Sequence, residues 1–318
     1  MKPGFFPSLP AIMAAAVLLS CGPRRQAAPS YPREFPAVQV PSVYNSVAER
    51  VAYSAAHWWD GFFALDGPVD SALVLGVRKG EVEQALANYI TILDQVPFGE
   101  ARACMSRLFR DLSAKQRADT SKRLYTVMTE MVGKYLYDPN SPLRDEDYYQ
   151  PFVQGMAESD LTSDAMRTAC RYEAKVCAMN PRGSVAPDFR ITRRNGGSFR
   201  LHQVKAGRTV LFFSNPGCHA CQEIIDALTG DDALVEMVRD GRLAVVNVYI
   251  DEDIGAWRRY EPSYPREWLC GYDATHTIRE DVLYSVRAIP SLYLLDADKR
   301  VILKDAPTER VLAALLSR

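Results

Sequence analysis

The 318-residue sequence has little net charge, few histidines and no internal apolar run of membrane-spanning length. Its 38 Lys and Arg stand against 39 Asp and Glu, a formal net charge of -1. A chain so balanced presents no global basic field, so neither nucleic acid nor an anionic membrane surface is expected as a partner on charge grounds. Four histidines and a single Cys-X-X-Cys pair leave a structural zinc site short of ligands. Cys270 and His276 are the remaining candidates, and their spacing matches no familiar zinc pattern. No metal and no cofactor is therefore expected. A spanning helix needs about 20 consecutive apolar residues, and the run from Ala11 to Leu19 is too short.

That short run has the proportions of a secretory h-region, with Lys2 before it and Ser20-Cys21 after it. Leu18-Leu19-Ser20-Cys21 resembles the bacterial lipobox, in which the signal peptide is cut just before a lipid-modified cysteine. The resemblance implies a signal peptide over residues 1–20 and lipidation at Cys21. It further implies a place in the bacterial cell envelope, lipid-anchored and facing the periplasm. Residues 21–41 are rich in proline and lack apolar periodicity, which predicts an extended tether. Export bears on the other six cysteines, because disulfides persist in an oxidising compartment.

From 42 to 181 the pattern is helical. Val82, Leu86, Tyr89, Ile90 and Leu93 recur at helical spacing, and Leu124, Val127, Met128, Met131 and Tyr135 repeat it. Stops fall at Pro97, Pro139 and Pro181, which predicts an all-α domain of five or six helices. If Cys170 and Cys177 share a helix, their Cα atoms lie about 10.5 Å apart, too far for a disulfide. Buried small hydrophobes are expected there and at Cys104, and core packing for Trp58, Trp59, Phe62 and Phe63. After 183 the periodicity changes to short apolar runs such as 209–213, 243–250, 291–295 and 301–303, which read as strands. Helical stretches near 220–228 and 309–316 complete an α/β sandwich, and the first two strands suggest a parallel βαβ unit.

The chemistry concentrates where the 209–213 run ends. A Ser-Asn-Pro-Gly turn leads to Cys218-His219-Ala220-Cys221 at the start of a helix. Amides in a first helical turn have no intrahelical partner and stabilise a thiolate placed there. Cys218 is thus the candidate nucleophile and Cys221 the resolving thiol. His219, between them, is a candidate for tuning the Cys218 pKa, or else a solvent-facing side chain.

Residues 183–318 resemble the thioredoxin-like superfamily, in particular its TlpA/ResA-like and alkyl hydroperoxide reductase/thiol-specific antioxidant-like branch. The resemblance rests on Val185-Ala186-Pro187-Asp188-Phe189 with Gly196-Gly197-Ser198-Phe199 and Leu201, on the Cys218–Cys221 motif, and on Arg287-Ala288-Ile289-Pro290-Ser291. It implies an α/β thioredoxin-like fold at the C-terminal end, preceded by the all-α domain. It also implies a cis-proline at Pro290 beside the thiols and a client-pairing backbone at Ile289. The activity implied is thiol-disulfide oxidoreduction, with protein thiol or disulfide clients and an envelope redox partner that resets the dithiol. Three features depart from relatives. Phe212 stands where thioredoxin keeps a buried carboxylate, and Leu211 and Asn215 stand where a peroxidase has proline and threonine. The segment 251–285, with Trp257, Trp268, Cys270 and Tyr272, exceeds the minimal fold. More loosely, the helical half resembles the N-terminal domain of uncharacterised function on many thioredoxin-like envelope lipoproteins. The rival reading is a lipid-anchored binding or scaffold protein whose thioredoxin-like domain is redox-sensing or inert. Cys21→Ala is expected to release the protein from membranes; membrane fractionation unchanged by the substitution would contradict the lipid anchor.

Overall fold

The computed structural model describes residues 30–317, so the signal-peptide and Cys21 expectations lie outside the described residues. From Arg33 to Pro36 the proline-rich stretch lies against the helices and is not free. The Arg33 amide donates to the Gly76 carbonyl, and the Phe35 ring packs against Trp58, Trp59 and Phe62. Packing of the Phe35 ring on these aromatic side chains offsets part of the cost of ordering the chain.

The helical part consists of α1 (Val47–His57), α2 (Asp60–Phe63), α3 (Lys79–Leu93), α4 (Phe98–Ala118), α5 (Leu124–Leu136), α6 (Glu146–Glu158) and α7 (Asp164–Cys177). A hairpin of two-residue strands, β1 (Leu73–Val74) and β2 (Val77–Arg78), interrupts it. That hairpin was not expected, since strands so short leave no periodicity to read. The apolar stripe of α3 is fully inside: Val82, Leu86, Tyr89, Ile90 and Leu93 all belong to the core, with Met128, Val132, Phe152 and Trp59. Cys170 and Cys177 are buried and unbridged on α7. Pro151 sits inside α6, where it has no N–H to give the Asp147 carbonyl. Arg102 donates to that carbonyl instead, at 3.0 Å.

The second part is built on a seven-stranded mixed sheet with strand order β4-β3-β7-β6-β5-β8-β9. Its strands are β3 (Arg190–Thr192), β4 (Ser198–Arg200), β5 (Arg208–Phe213), β6 (Leu243–Tyr249), β7 (Leu269–Tyr272), β8 (Ser291–Asp296) and β9 (Val301–Leu303). The helices are α8 (His219–Thr229), α9 (Asp232–Arg239), α10 (Ile254–Tyr260), α11 (Thr277–Glu280) and α12 (Thr308–Leu316). β5 and β6 are parallel, joined through α8 and α9, while β5/β8 and β8/β9 are antiparallel. Alternate residues of the central strands serve two cores. Val210, Phe212, Val245, Leu292 and Leu294 pack with α8 and α12, whereas Leu211, Phe213, Val246, Val248 and Tyr293 fill the opposite face.

The helices meet the sheet through a buried ionic seam. Lys304 donates to the Cys177 and Met179 carbonyls at the end of α7 (2.7 and 2.6 Å) and pairs with Glu146 at 3.0 Å. Arg287 reaches Glu146 (2.7 Å) and the Tyr137 carbonyl (2.6 Å) and lies over the Tyr137 ring. Arg310 and Arg182 both hold Asp145, each at 2.8 Å. Every one of these charges has a partner, as burial requires.

Burial, and next the charge of Asp145, push the Asp147 carboxyl up to about 6. Because the folded value lies above the unfolded one, the stability this group contributes is complete below about pH 4 and is lost as pH rises through about 6. Asp147→Asn removes the titration. Denaturant titrations at about pH 4.5 and 6.5 are expected to show the wild type losing about 2 kcal/mol relative to the variant over that interval; parallel pH profiles would contradict the raised carboxyl.

Candidate active site

β5 is apolar and β-branched or aromatic through Thr209–Phe213, and it is buried from Thr209 onward. The chain leaves it at Ser214 and must turn sharply to start α8. Gly217 makes that turn at φ +72°, a conformation that costs an L side chain energy even though open space surrounds it. Asn215 steadies the turn from the side, its Nδ2 donating to Asp251 at 2.5 Å, and Asp251 is paired with Arg279 at 2.7 Å.

Cys218 is the N-cap of α8, and its sulfur accepts from the Cys221 amide at 3.2 Å. The helix that follows is 11 residues long and buries Cys221, Ile224, Ile225 and Leu228. Cys218 and Cys221 form a disulfide with Cα atoms 5.2 Å apart. The two sulfurs differ in access: Cys218 is half-buried, whereas Cys221 is 2% exposed. His219 is directed away from the pair, with an 89% exposed side chain and its Nδ1 3.4 Å from Glu223. A charge so placed acts on the sulfur through water and is heavily screened.

The Ile289–Pro290 peptide bond is cis. Ile289 packs against the core cluster that contains Cys221, and Pro290 lines one groove with Ala220 and Ile224 of α8. The structure thus brings Cys218, Cys221, Ile289 and Pro290 into one neighbourhood and leaves His219 on its solvent side.

Two sets of side-chain pairings escaped sequence reasoning. Behind the dithiol, on the sheet face that carries Phe212, the buried Ser214 hydroxyl accepts from Asn247 Nδ2 at 2.7 Å and lies 3.0 Å from the Tyr264 hydroxyl. Burial pushes the Tyr264 phenol up to about 12, so it stays protonated. The signal was visible as one asparagine in the apolar run 243–250, but a partner 33 residues away was not. The second set flanks the cis-proline: Arg287 is tied to Glu146, and Ser291 Oγ donates to Asp305 at 2.7 Å. Cys270 lies on β7 opposite Asn247, and burial pushes its thiol up to about 12, which makes it a poor nucleophile at neutral pH.

A mixed sheet of this order, with a cysteine pair opening the helix after a central strand and a cis-proline loop beside it, is a thioredoxin-like fold. The chain is similar over 89% of its length to a crystal structure of a thioredoxin-like protein from Bacteroides caccae ATCC 43185. The two share 31% identity with a TM-score of 0.73, and 98% of that chain is covered. Residues 17–180 match the family described as a domain of unknown function (DUF5106), and the chain belongs to that family. Two structures from Bacteroides fragilis match less than half of the chain. The C-terminal domain of an uncharacterised protein is 38% identical over 43% of this chain and 99% of that one, with a TM-score of 0.42. A conserved protein of unknown function is 37% identical over 42% and 98%, with a TM-score of 0.41. No curated protein matches the chain.

Gly217→Ala is expected to lower stability by about 1 kcal/mol, the cost of holding a β-carbon at positive φ. Equilibrium denaturation measures it, and an unchanged midpoint would mean that the turn does not need the left-handed conformation.

Proposed function

We propose that the chain is an envelope thiol-disulfide oxidoreductase acting on protein disulfides through Cys218 and Cys221, in the manner of TlpA/ResA-like proteins. The observation that carries the reading is the asymmetry of the pair: one sulfur sits at the solvent edge capped onto a first-turn amide, and the other is buried within the same turn. A nucleophile must be reachable and stabilised as an anion, and a resolving thiol must be close and shielded.

In the reductive direction the Cys218 thiolate attacks one sulfur of a client disulfide. A Cys218–client S–S bond forms, the client S–S bond breaks, and the departing client sulfur takes up a proton. The Cys221 thiol gives up its proton and attacks Cys218 Sγ, closing the intramolecular disulfide and releasing the second client thiol. Two electrons pass from the dithiol to the client, and a redox partner in the envelope returns the pair to the reduced state. Run backwards, the same steps oxidise a client dithiol. Ile289 offers backbone for the client to pair with beside Pro290. The amides of α8 supply the thiolate stabilisation, and His219 stands on the solvent side of the pair. Lipidation at Cys21 would keep this chemistry at the membrane surface, facing the periplasm.

Cys218→Ser is expected to abolish exchange with a disulfide-bonded protein, and Cys221→Ser to accumulate a mixed disulfide visible on non-reducing gels. Undiminished turnover in both variants would end the reading.

A further inference from the structure

Beside the dithiol runs a groove of about 570 Å³. Its thioredoxin-like side brings apolar surface from Ile224 of α8, Leu312 of α12 and the Ile289–Pro290 loop, with Glu223 and Glu309 in the same lining. The facing wall comes from the other part of the chain: Pro139 and Asn140, in the loop between α5 and α6. From these placements we propose that the helical part builds one wall of the client groove, and that the groove takes an extended client segment with a basic side chain close to its reactive cysteine. The proposal rests on the exchange reading above and specifies its substrate.

Three observations support it. The wall is tied by hydrogen bonds to the thioredoxin-like part. Arg144 donates to the Asp305 and Ala306 carbonyls at 2.9 and 3.1 Å, Ser141 Oγ donates to the Tyr135 carbonyl at 2.6 Å, and Arg287 joins the loop to Glu146. A preformed wall binds without first being ordered. Next, Ala288 and Ile289 make no backbone hydrogen bond among the described residues, so the groove offers free main-chain groups to an extended strand. The exposed carboxylates on the rim also outnumber its cations, with His219 3.4 Å from one of them, Glu223. Glu223 and Glu309 both line the groove and are exposed, and Glu309 has no hydrogen bond or ion pair among the described residues. The cation in the lining, Arg144, is 14% exposed, already engaged by carbonyls and 3.9 Å from Asp305. A lysine or arginine on the client complements that rim, and an acidic residue is repelled.

The test uses the full chain, reduced beforehand, and two short synthetic peptides presented as symmetric disulfides that differ only in Lys or Glu beside the cysteine. Single-turnover exchange rates are measured as a function of peptide concentration. The wild type is expected to favour the Lys peptide by about five-fold in the second-order rate constant, the range of one partly exposed ion pair. Glu309→Lys is expected to bring that ratio to one or below. Asn140→Trp, at an exposed position on the helical wall, is expected to raise the half-saturating concentration of the Lys peptide several-fold while the saturating rate changes little. Equal rates for the two peptides, a ratio that Glu309→Lys does not move, or a half-saturation that Asn140→Trp does not move would overturn the groove proposal while leaving exchange intact. Failure of the wild type to exchange with either peptide would instead overturn the oxidoreductase reading on which it stands.

Discussion

The hydrogen bond from the Cys221 amide to the Cys218 sulfur is the contact around which the site is organised. It exists because α8 begins at Cys218, so that the first-turn amides have nothing behind them to donate to. Everything upstream serves that starting point: the buried strand β5 that aims the chain, the Gly217 turn that reverses it, and the Asn215–Asp251–Arg279 chain that steadies the turn. Everything downstream follows from it, since the apolar face of α8 that anchors the helix on the sheet is the same face that buries Cys221.

The ionic seam between helices and sheet answers a different requirement. Charges such as Glu146 and Lys304, both 2% exposed as side chains, cost more to desolvate than they return in attraction unless every donor and acceptor is met. Here the ion-pair partners come from both parts of the chain, so the charges are paired only in this docking, although Arg182 Nε and Asp147 Oδ1 are left without a hydrogen bond among the described residues. Arg287 ties that docking to the cis-proline loop, three residues before Pro290. The helical part is therefore mechanically coupled to the loop that borders the dithiol, and its position is a condition of the site's geometry.

Much of the architecture was legible. The 3.6-residue stripe of α3 named its core residues, the prolines at 97, 139 and 181 marked real boundaries, and the β-branched runs became β5, β6, β8 and β9. What escaped were elements too short to show a period, such as β1, β2, β3 and β4, and elements inside 251–285 where tertiary packing decides: α10, β7 and α11. The docking of Phe35 escaped as well, because a proline-rich segment with one aromatic residue has no pattern that distinguishes a free strand from one packed on tryptophans.

By itself the sequence determined the fold class, the order of helices before sheet and the place of the cysteine pair at a helix start. Those follow from local periodicity and turn chemistry, which act over a few residues. Only the tertiary structure decided which sulfur is reachable, that His219 faces water, that Ser214, Asn247 and Tyr264 share hydrogen bonds behind the dithiol, and that Glu146 meets Arg287 across 141 residues of chain. Such pairings depend on distance in space, and no local pattern encodes which buried group a distant side chain will satisfy.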